Sequence, residues 1–251
     1  MYKEHNSFES IDNNKKIWRY MDFTKFIDIL ENEALFFTRS DRFEDKFEGT
    51  LPIANEVIKE KENKILEDKI DYEHRKWTLE LIKEVRKHML ISCWHINDNE
   101  SDAMWKLYSK STQSIAIQTS FGRLKKSFKN TNETVYIGKI KYIDYNLDVI
   151  SESSLYNFWL HKRKAFSHEN ELRAIICRCD INKIKYIDLD ITEKPLDYGE
   201  NIDVDLNMLI DSVYVSPLAE QWFADLVEKI IRRYGYNFEV NYSKLSDNPI
   251  S

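Results

Sequence analysis

Short apolar segments with a period of two recur along the chain, joined by helical segments in no regular order. A period of two places alternate side chains on one face of a sheet, whereas apolar residues three and four apart give a helix one apolar face. The regular alternation of a doubly wound sheet is missing, and the sequence has no Gly-rich phosphate loop. The pattern therefore predicts an α+β fold.

Asp22 and Ser101 each precede a helical pattern and are predicted N-caps. Helices are predicted at residues 23–30, in one or two segments within 54–89, and at 102–108, 121–128, 153–166 and 217–233. Strands are predicted at residues 16–21, 35–38, 90–95, 114–120, 135–142, from 169 onward, and at 184–189, 212–215 and 238–242.

The domain organisation follows from length and composition. The chain has 251 residues, of which 42% are hydrophobic, so it can bury a large core. With 5 Gly and 4 Pro it has no linker-like stretch, and residues 1–251 are expected to form a single domain. Residues 54–89 are strongly charged with spaced apolar side chains, which predicts a charged helical insertion that packs on the sheet or on a protein partner.

Charge and hydropathy exclude several classes of protein. The net charge of -6 argues against broad binding to nucleic acid or to an anionic membrane. No apolar run approaches the length of a membrane span, and residues 1–6 lack the apolar core of a signal peptide. We therefore expect a soluble cytoplasmic protein with no membrane partner.

Four residues are conceivable metal ligands: Cys93, His95, Cys177 and Cys179. Paired metal ligands usually stand on turns at wider spacing, and buried cysteines in strands are ordinary small apolar residues. An odd number of cysteines without an export signal also indicates reduced thiols. We therefore expect no metal.

Residues 165–173 place two carboxylates two residues apart, just before the apolar run 174–176. On a strand, Glu169, Glu171 and Arg173 share one face while Leu172 points to the other. A strand that enters a core with three charges on one face needs a reason, and a functional site is one such reason. The alternative is a salt-bridged strand end, in which Glu171 and Arg173 pair along that face.

The segment 39–49 combines both signs of charge with Phe43 and Phe47. Solvated loops rarely carry large aromatic side chains, so this loop is predicted to fold back over a groove.

Several motifs together resemble the bacterial DUF2971 family, a domain of unknown function. The resemblance covers most of the chain outside the charged insertion but implies no established activity, so function has to be argued from the site. The motifs that carry it are at residues 18–21, 43–49, 93–95, 100–108, 162–173 and 213–217.

The order of elements also resembles the ADP-ribosyltransferase fold, closest to its RNA 2′-phosphotransferase and DNA-modifying branches. In that fold a basic residue stands on the first strand, a short helix and a second strand follow, and a later strand carries a glutamate. Arg19, the helix at 23–30, Phe37 with Thr38, and the pair Glu169 and Glu171 match these positions. The resemblance implies a mixed, mostly antiparallel sheet with flanking helices, and NAD as substrate.

The implied chemistry is cleavage of the nicotinamide glycosidic bond. Glu171 would stabilise the positive charge that develops on the ribose, and Glu169 would orient or deprotonate an acceptor. Arg19 would hold the pyrophosphate or the adenosine ribose, with Arg173 and Thr38 assigned to the same NAD site. Aromatic side chains expected to stack on nicotinamide or adenine are Tyr20, Phe37 and Trp94.

Three functions remain open at this point. The preferred one is an NAD-consuming ADP-ribosyltransferase or NAD glycohydrolase, with a toxin or antiphage role and an unidentified protein, nucleic acid or water acceptor; it predicts that Arg19, an aromatic residue and Glu171 line one cleft. A metal-dependent nuclease or other hydrolase predicts that His95 and His168 cluster with carboxylates. A non-catalytic module that binds a nucleotide or a protein predicts no deep polar cleft, with Glu171 paired to Arg173.

Overall fold

The computed structural model describes residues 1–66, 69–109, 111–179 and 195–246. Within these ranges the strands are β1 (Lys16–Asp22), β2 (Ala34–Arg39), β3 (Met89–Ile96), β4 (Ser114–Ser120), β5 (Tyr136–Lys139), β6 (Lys141–Ile143), β7 (His161–Arg163), β8 (Glu171–Cys177), β9 (Gly199–Asp203), β10 (Ser212–Val215) and β11 (Glu239–Tyr242). The helices are α1 (Phe23–Asn32), α2 (Ile53–Leu66), α3 (Lys69–Val85), α4 (Asp102–Tyr108), α5 (Phe121–Ser127), α6 (Leu206–Leu209) and α7 (Gln221–Arg233). The strand expected at 184–189 lies outside the described residues.

The described strands form one large mixed sheet and one small one. The large sheet runs in the order β11-β10-β4-β1-β3-β2-β9, and β8 pairs with both β3 and β5. Its pairs are antiparallel except for β10 with β11, and β6 and β7 form a separate parallel pair. The predicted α+β class with a mostly antiparallel sheet is therefore confirmed.

Strand β3 pairs with two different strands along one of its edges. Along one edge it pairs with β8 from Met89 to His95. Along the other edge it pairs with β2 near its start and with β1 near its end. Strands β1 and β2 diverge where they face the middle of β3. Helix α1 connects the end of β1 to the start of β2.

The sheet buries apolar side chains on both faces. One face carries Ile17, Trp94 and Leu172 and packs against α1, α5 and α7. The opposite face carries Ile91 and Ile175 together with the end of α3, and a neighbouring cluster contains residues of β1 and α4. Because both faces of β3 and β8 are covered, these strands consist almost entirely of buried residues.

The charged insertion predicted at 54–89 consists of α2 and α3. The last turns of α3 bury Leu81, Ile82 and Val85 in the same apolar cluster as Ile91. The insertion therefore packs on the sheet through its C-terminal end. Among the described residues, no helix is both long enough and apolar enough to span a bilayer.

The helix predicted at 153–166 is wrong. The segment instead forms 3-10 turns at Leu155–Trp159 and Lys164–Glu169, with β7 between them. The consecutive residues 158–160 are all buried, so the segment has no single apolar face on which an α-helix could rest.

Other element boundaries differ for local reasons. Strand β8 begins at Glu171 and not at Glu169, because Asn170 adopts a left-handed conformation with φ 38° and turns the chain. The strand predicted at 135–142 is divided into β5 and β6, which pair with different strands. The helix expected to start at Pro217 begins at Gln221. Strand β9 was not predicted, because only Ile202 of its five residues is buried and apolar.

Candidate functional site

Five charged side chains are buried together on the sheet face that carries Ile91. We call this group the buried charge cluster: Glu48, Lys162, Glu169, Glu171 and Arg173. None of the five side chains is more than 8% exposed. Charges at this depth are tolerated only when they are paired and hydrogen-bonded, so their contacts decide what the cluster can do.

Arg173 is the anchor of the cluster and is fully buried. It lies on β8 beside Glu171, and its Nε donates to Glu171 Oε2 at 2.6 Å. Its other two nitrogens donate to the carbonyl of Trp159 and to Glu48 Oε1, each at 2.9 Å. The planar guanidinium thus joins the strand to two segments that are distant in sequence.

Lys162 lies at the centre of the three carboxyl groups. Its Nζ donates to Glu169 Oε2 at 2.5 Å and to Glu171 Oε1 at 2.7 Å, and lies 3.2 Å from Glu48 Oε1. Burial lowers the pKa of Lys162, but the charges of Glu171 and Glu48 raise it more, and the net pKa lies above its ordinary value. The lysine is therefore a permanent cation and not a nucleophile.

The two neighbouring carboxyl groups have pKa values displaced in opposite directions. Burial, together with a hydrogen bond to Glu171 and its charge, raises the pKa of Glu169 to about 8. Burial also opposes ionisation of Glu171, but Arg173, the hydrogen bond from Glu169 and Lys162 hold its pKa well below the usual range. At neutral pH Glu169 is a carboxylic acid beside an ionised Glu171. The cluster then carries two carboxylates and two cations, so its charges balance.

A loop that we call the cover loop, residues 43–49, closes over the cluster. It contributes Glu48 and also Asp45, whose Oδ1 accepts from Arg163 Nη2 at 2.7 Å. The Arg163 guanidinium lies 4.3 Å from the ring centroid of Phe47. Gly49 ends the loop with φ +68°, and a Cβ at this position would lie 2.5 Å from Trp159 Nε1. The prediction that this segment folds back is confirmed, although what it covers is a charged cluster.

Two tyrosines and a cysteine border the cluster. The Tyr142 hydroxyl accepts from the Glu171 backbone N–H at 2.8 Å. Tyr108 is 44% exposed, yet its pKa is raised by burial of its hydroxyl and then by the charges of Glu169 and Glu171. Burial raises the pKa of Cys93 to about 12, so this thiol is neutral and unreactive at pH 7.

His95 is the register partner of Glu171 across β3 and β8. Its Nδ1 lies 2.6 Å from the backbone carbonyl of Glu169, which can only accept, so Nδ1 carries the proton. Nε2 is then an acceptor, and burial lowers the pKa of the ring. Among the described residues Nε2 has no hydrogen-bond partner. This neutral imidazole fixes the backbone that presents Glu169.

The predicted site residues divide between the two faces of the sheet. Register partners share a face, and Trp18 pairs with His95, which pairs with Glu171. Tyr20 and Thr38 follow the same alternation and lie on the face of Glu171 and Arg173. The opposite face carries Arg19, Phe37 and Trp94.

The expectation that Arg19 and Glu171 line one cleft is therefore wrong. Arg19 donates from Nη1 to Ser92 Oγ at 3.0 Å and from Nη2 to the Phe36 carbonyl at 3.1 Å. Arg19 thus links β1 to β2 and β3 on the face of the sheet opposite Glu171. Phe37 and Trp94 are core residues, 0% and 1% exposed.

In the part of the chain that is described, the arrangement of side chains does not support the metal-site alternative either. No group of three or more His, Cys, Asp or Glu side chains is arranged there as metal ligands. Cys93 lies opposite Arg173 and Cys177 opposite Met89, four residues apart along the paired strands. At a rise of about 3.3 Å per residue, a separation of four residues places these two cysteines too far apart to bind one ion.

Lys162 and Glu48 are cluster members that sequence reasoning did not assign to the site. The sequence predicts a helix around Lys162, and because that helix does not form, the pattern gave no indication of where this side chain points. Glu48 meets Arg173 across 125 residues, and no local pattern reports a pairing at that separation. The one indication in the sequence that Glu48 is buried was the aromatic composition of the cover loop, because a loop that folds inward also buries some of its charged side chains.

Comparison with known proteins gives one finding. Neither the curated proteins nor the solved structures gave a match. A family model described as "Protein of unknown function (DUF2971)" matches residues 104–174. This segment contains Tyr108 and four of the five cluster residues, all except Glu48. The chain is thus similar to DUF2971 over the segment that builds most of the buried charge cluster.

Proposed function

We propose that the chain is an NAD-consuming enzyme of the ADP-ribosyltransferase or NAD glycohydrolase type, with Glu169 and Glu171 as its catalytic carboxyl groups. The observation that carries the proposal is that both buried carboxyl groups contact one ammonium group, that of Lys162, at 2.5 Å and 2.7 Å, while their pKa values are displaced in opposite directions. Two carboxyl groups in one buried site with separated pKa values are typical of acid–base catalysis.

The proposed reaction assigns a different task to each group. The bond between the ribose C1′ and nicotinamide breaks, and its electron pair leaves with the nicotinamide. The Glu171 carboxylate stabilises the positive charge that develops on the ribose. The acceptor oxygen bonds to C1′ and gives its proton to Glu169. With a pKa of about 8, Glu169 is mostly protonated at neutral pH, so its ionised form becomes available as this base as the pH rises towards 8.

Substrate access requires the cover loop to move. Displacement of Glu48 and Asp45 would free the guanidinium groups of Arg173 and Arg163 from these two carboxylates. Arg163 already has 37% of its side chain exposed. We assign the pyrophosphate to these two arginines in place of Arg19, and the nicotinamide to the aromatic side chains beside them, Phe43 and Phe47.

The test is nicotinamide release from NAD by the purified protein, with and without cell lysate as a source of acceptors. Glu171→Gln should abolish release. Glu169→Gln should reduce it while leaving NAD binding intact. Glu9→Gln, which changes an exposed carboxylate away from the cluster, is the matched control and should behave as the wild type. Release that is unchanged in Glu171→Gln would exclude Glu171 from the reaction.

A second candidate is a non-catalytic module that binds a nucleotide or a protein. The specific observation in its favour is the direct ion pair of Arg173 with Glu171 at 2.6 Å beneath the closed cover loop. If calorimetry detects no NAD binding and no nicotinamide is released under any condition, this candidate replaces the enzyme.

A further inference from the structure

Two cysteines lie side by side where β8 ends. Cys177 is the last residue of the strand and Cys179 follows after one residue. Their Sγ atoms are 3.1 Å apart, and the Cys177 Sγ also lies 3.4 Å from the backbone carbonyl of Cys179. Both are thiols. Two sulfur atoms at this distance need to approach by about 1 Å to reach the length of a disulfide bond.

The two thiols differ in accessibility. Cys177 is half-buried, whereas Cys179 is buried at 9% exposure. An oxidant from solution therefore reaches the first sulfur more readily than the second. An accessible thiol next to a sheltered second thiol is the usual arrangement of oxidation-sensitive cysteine pairs.

The third cysteine has a different environment. On β3, Cys93 is the register partner of Arg173. The register partner of Cys177 is four residues earlier on β3. Cys93 cannot reach either of the other sulfurs, and its pKa is raised by burial. It serves as an internal reference for the reactivity of the pair.

We propose that Cys177 and Cys179 form a reversible oxidation site that converts to an intramolecular disulfide on reaction with a hydroperoxide. The Cys177 thiolate attacks the distal peroxide oxygen, the O–O bond breaks, and Cys177 becomes a sulfenic acid while an alcohol or water leaves. The Cys179 thiol then attacks the Cys177 sulfur, the S–O bond breaks and water leaves. In total two thiols and one hydroperoxide give one disulfide, one alcohol and one water, or two waters when the oxidant is hydrogen peroxide.

The cysteine pair takes no part in the proposed NAD chemistry. Cys177 is on the same strand as Glu171, but it lies six positions later. The test therefore uses thiol chemistry and mass, and no activity. The full chain is treated with hydrogen peroxide, denatured and alkylated with N-ethylmaleimide. The expected product carries one label, on Cys93, and has lost the mass of two hydrogen atoms. A reductant should restore all three labels.

Variants separate the two steps. Cys179→Ser should stop at the Cys177 sulfenic acid, which dimedone traps. Cys93→Ser is the matched control and should still lose both remaining thiols. Peptide mapping of the oxidised wild type locates the disulfide without any variant. The proposal is overturned if three thiols remain after peroxide treatment, if the disulfide involves Cys93, or if Cys179→Ser yields no trapped sulfenic acid while it remains folded by circular dichroism.

Discussion

Glu169 and Glu171 share one ammonium group, that of Lys162, which lies 2.5 Å from the first carboxyl group and 2.7 Å from the second. Arg173 contacts only Glu171 of the two. The second cation decides which carboxyl group ionises, so Glu171 is held as a carboxylate and Glu169 retains its proton. Two glutamates that are two residues apart thus differ in protonation at neutral pH through the placement of one guanidinium.

The first prediction compares Arg173, which is fully buried, with Arg19, which is half-buried. Arg173→Met should lower the free energy of unfolding by about 3–5 kcal/mol, because it leaves Glu48 and Glu171 with only Lys162 to balance them. Arg19→Met is the matched substitution on the other face and should cost about 1–3 kcal/mol, since it removes hydrogen bonds but no ion pair. Urea unfolding measures both. Equal losses would mean that the buried charge cluster contributes no more than the hydrogen bonds of Arg19.

The second prediction is a pH dependence of stability. Glu169 has an ordinary pKa of 4.5 when unfolded and a folded pKa of about 8, so between these values the folded chain binds more protons than the unfolded chain. Its contribution to the free energy of unfolding is complete below about pH 4.5 and declines as the pH rises to about 8.

Glu169→Gln should remove this decline, because glutamine does not titrate. Comparing urea midpoints of the wild type and the variant at several pH values isolates the contribution of this one group from that of the other titrating residues. Parallel profiles for the two proteins would show that Glu169 does not change its protonation in this range.

The third prediction tests how the cover loop is seated. Gly49 and Gly235 both have positive φ, +68° and +84°, but of the two only Gly49 has other atoms within 4 Å of the position that a Cβ would occupy. Gly235→Ala should cost about 1–2 kcal/mol from backbone strain alone. Gly49→Ala adds a clash with Trp159 and should cost clearly more. It should also increase proteolysis between residues 43 and 49, and an unchanged digestion pattern would contradict the seating of the loop on Trp159.

The fourth prediction concerns the pH dependence of the proposed NAD reaction. If Glu169 accepts the proton of the acceptor, the rate of nicotinamide release should rise with pH and level off above about pH 8, since only the ionised form is a base. Glu169→Gln should show a low rate with no such rise. A wild-type rate that falls with pH over this range would assign Glu169 the role of an acid.

Much of the fold could be predicted because it is encoded locally. Alternation located β1, β3 and β4 within a residue or two at each end, and Ser101 does accept the capping bond from the Met104 N–H. The segment 153–166 failed because the consecutive residues 158–160 are all buried, which removes the periodicity that distinguishes a helix. Strand β9 failed for the opposite reason, since polar residues on a sheet edge carry no alternation.

The site was predictable only in part. The spacing of Glu171 and Arg173 correctly placed them on one face, and Glu169 joins them even though it precedes the strand. The position of Arg19 on the opposite face depends on the register of β1 against β3, which no local pattern specifies. Lys162 and Glu48 join the cluster through long-range packing. Their positions depend on where the fold places β7 and the cover loop.

The most direct test of the central claim is a carboxyl carbon NMR titration of the protein labelled with ¹³C-glutamate, with Glu169→Gln and Glu171→Gln used to assign the two resonances. We expect the Glu169 resonance to titrate near pH 8 and the Glu171 resonance to remain that of a carboxylate throughout the range in which the protein is folded. Two resonances that both titrate near the ordinary value of 4.5 would contradict the account, because the pair would then hold no proton at neutral pH.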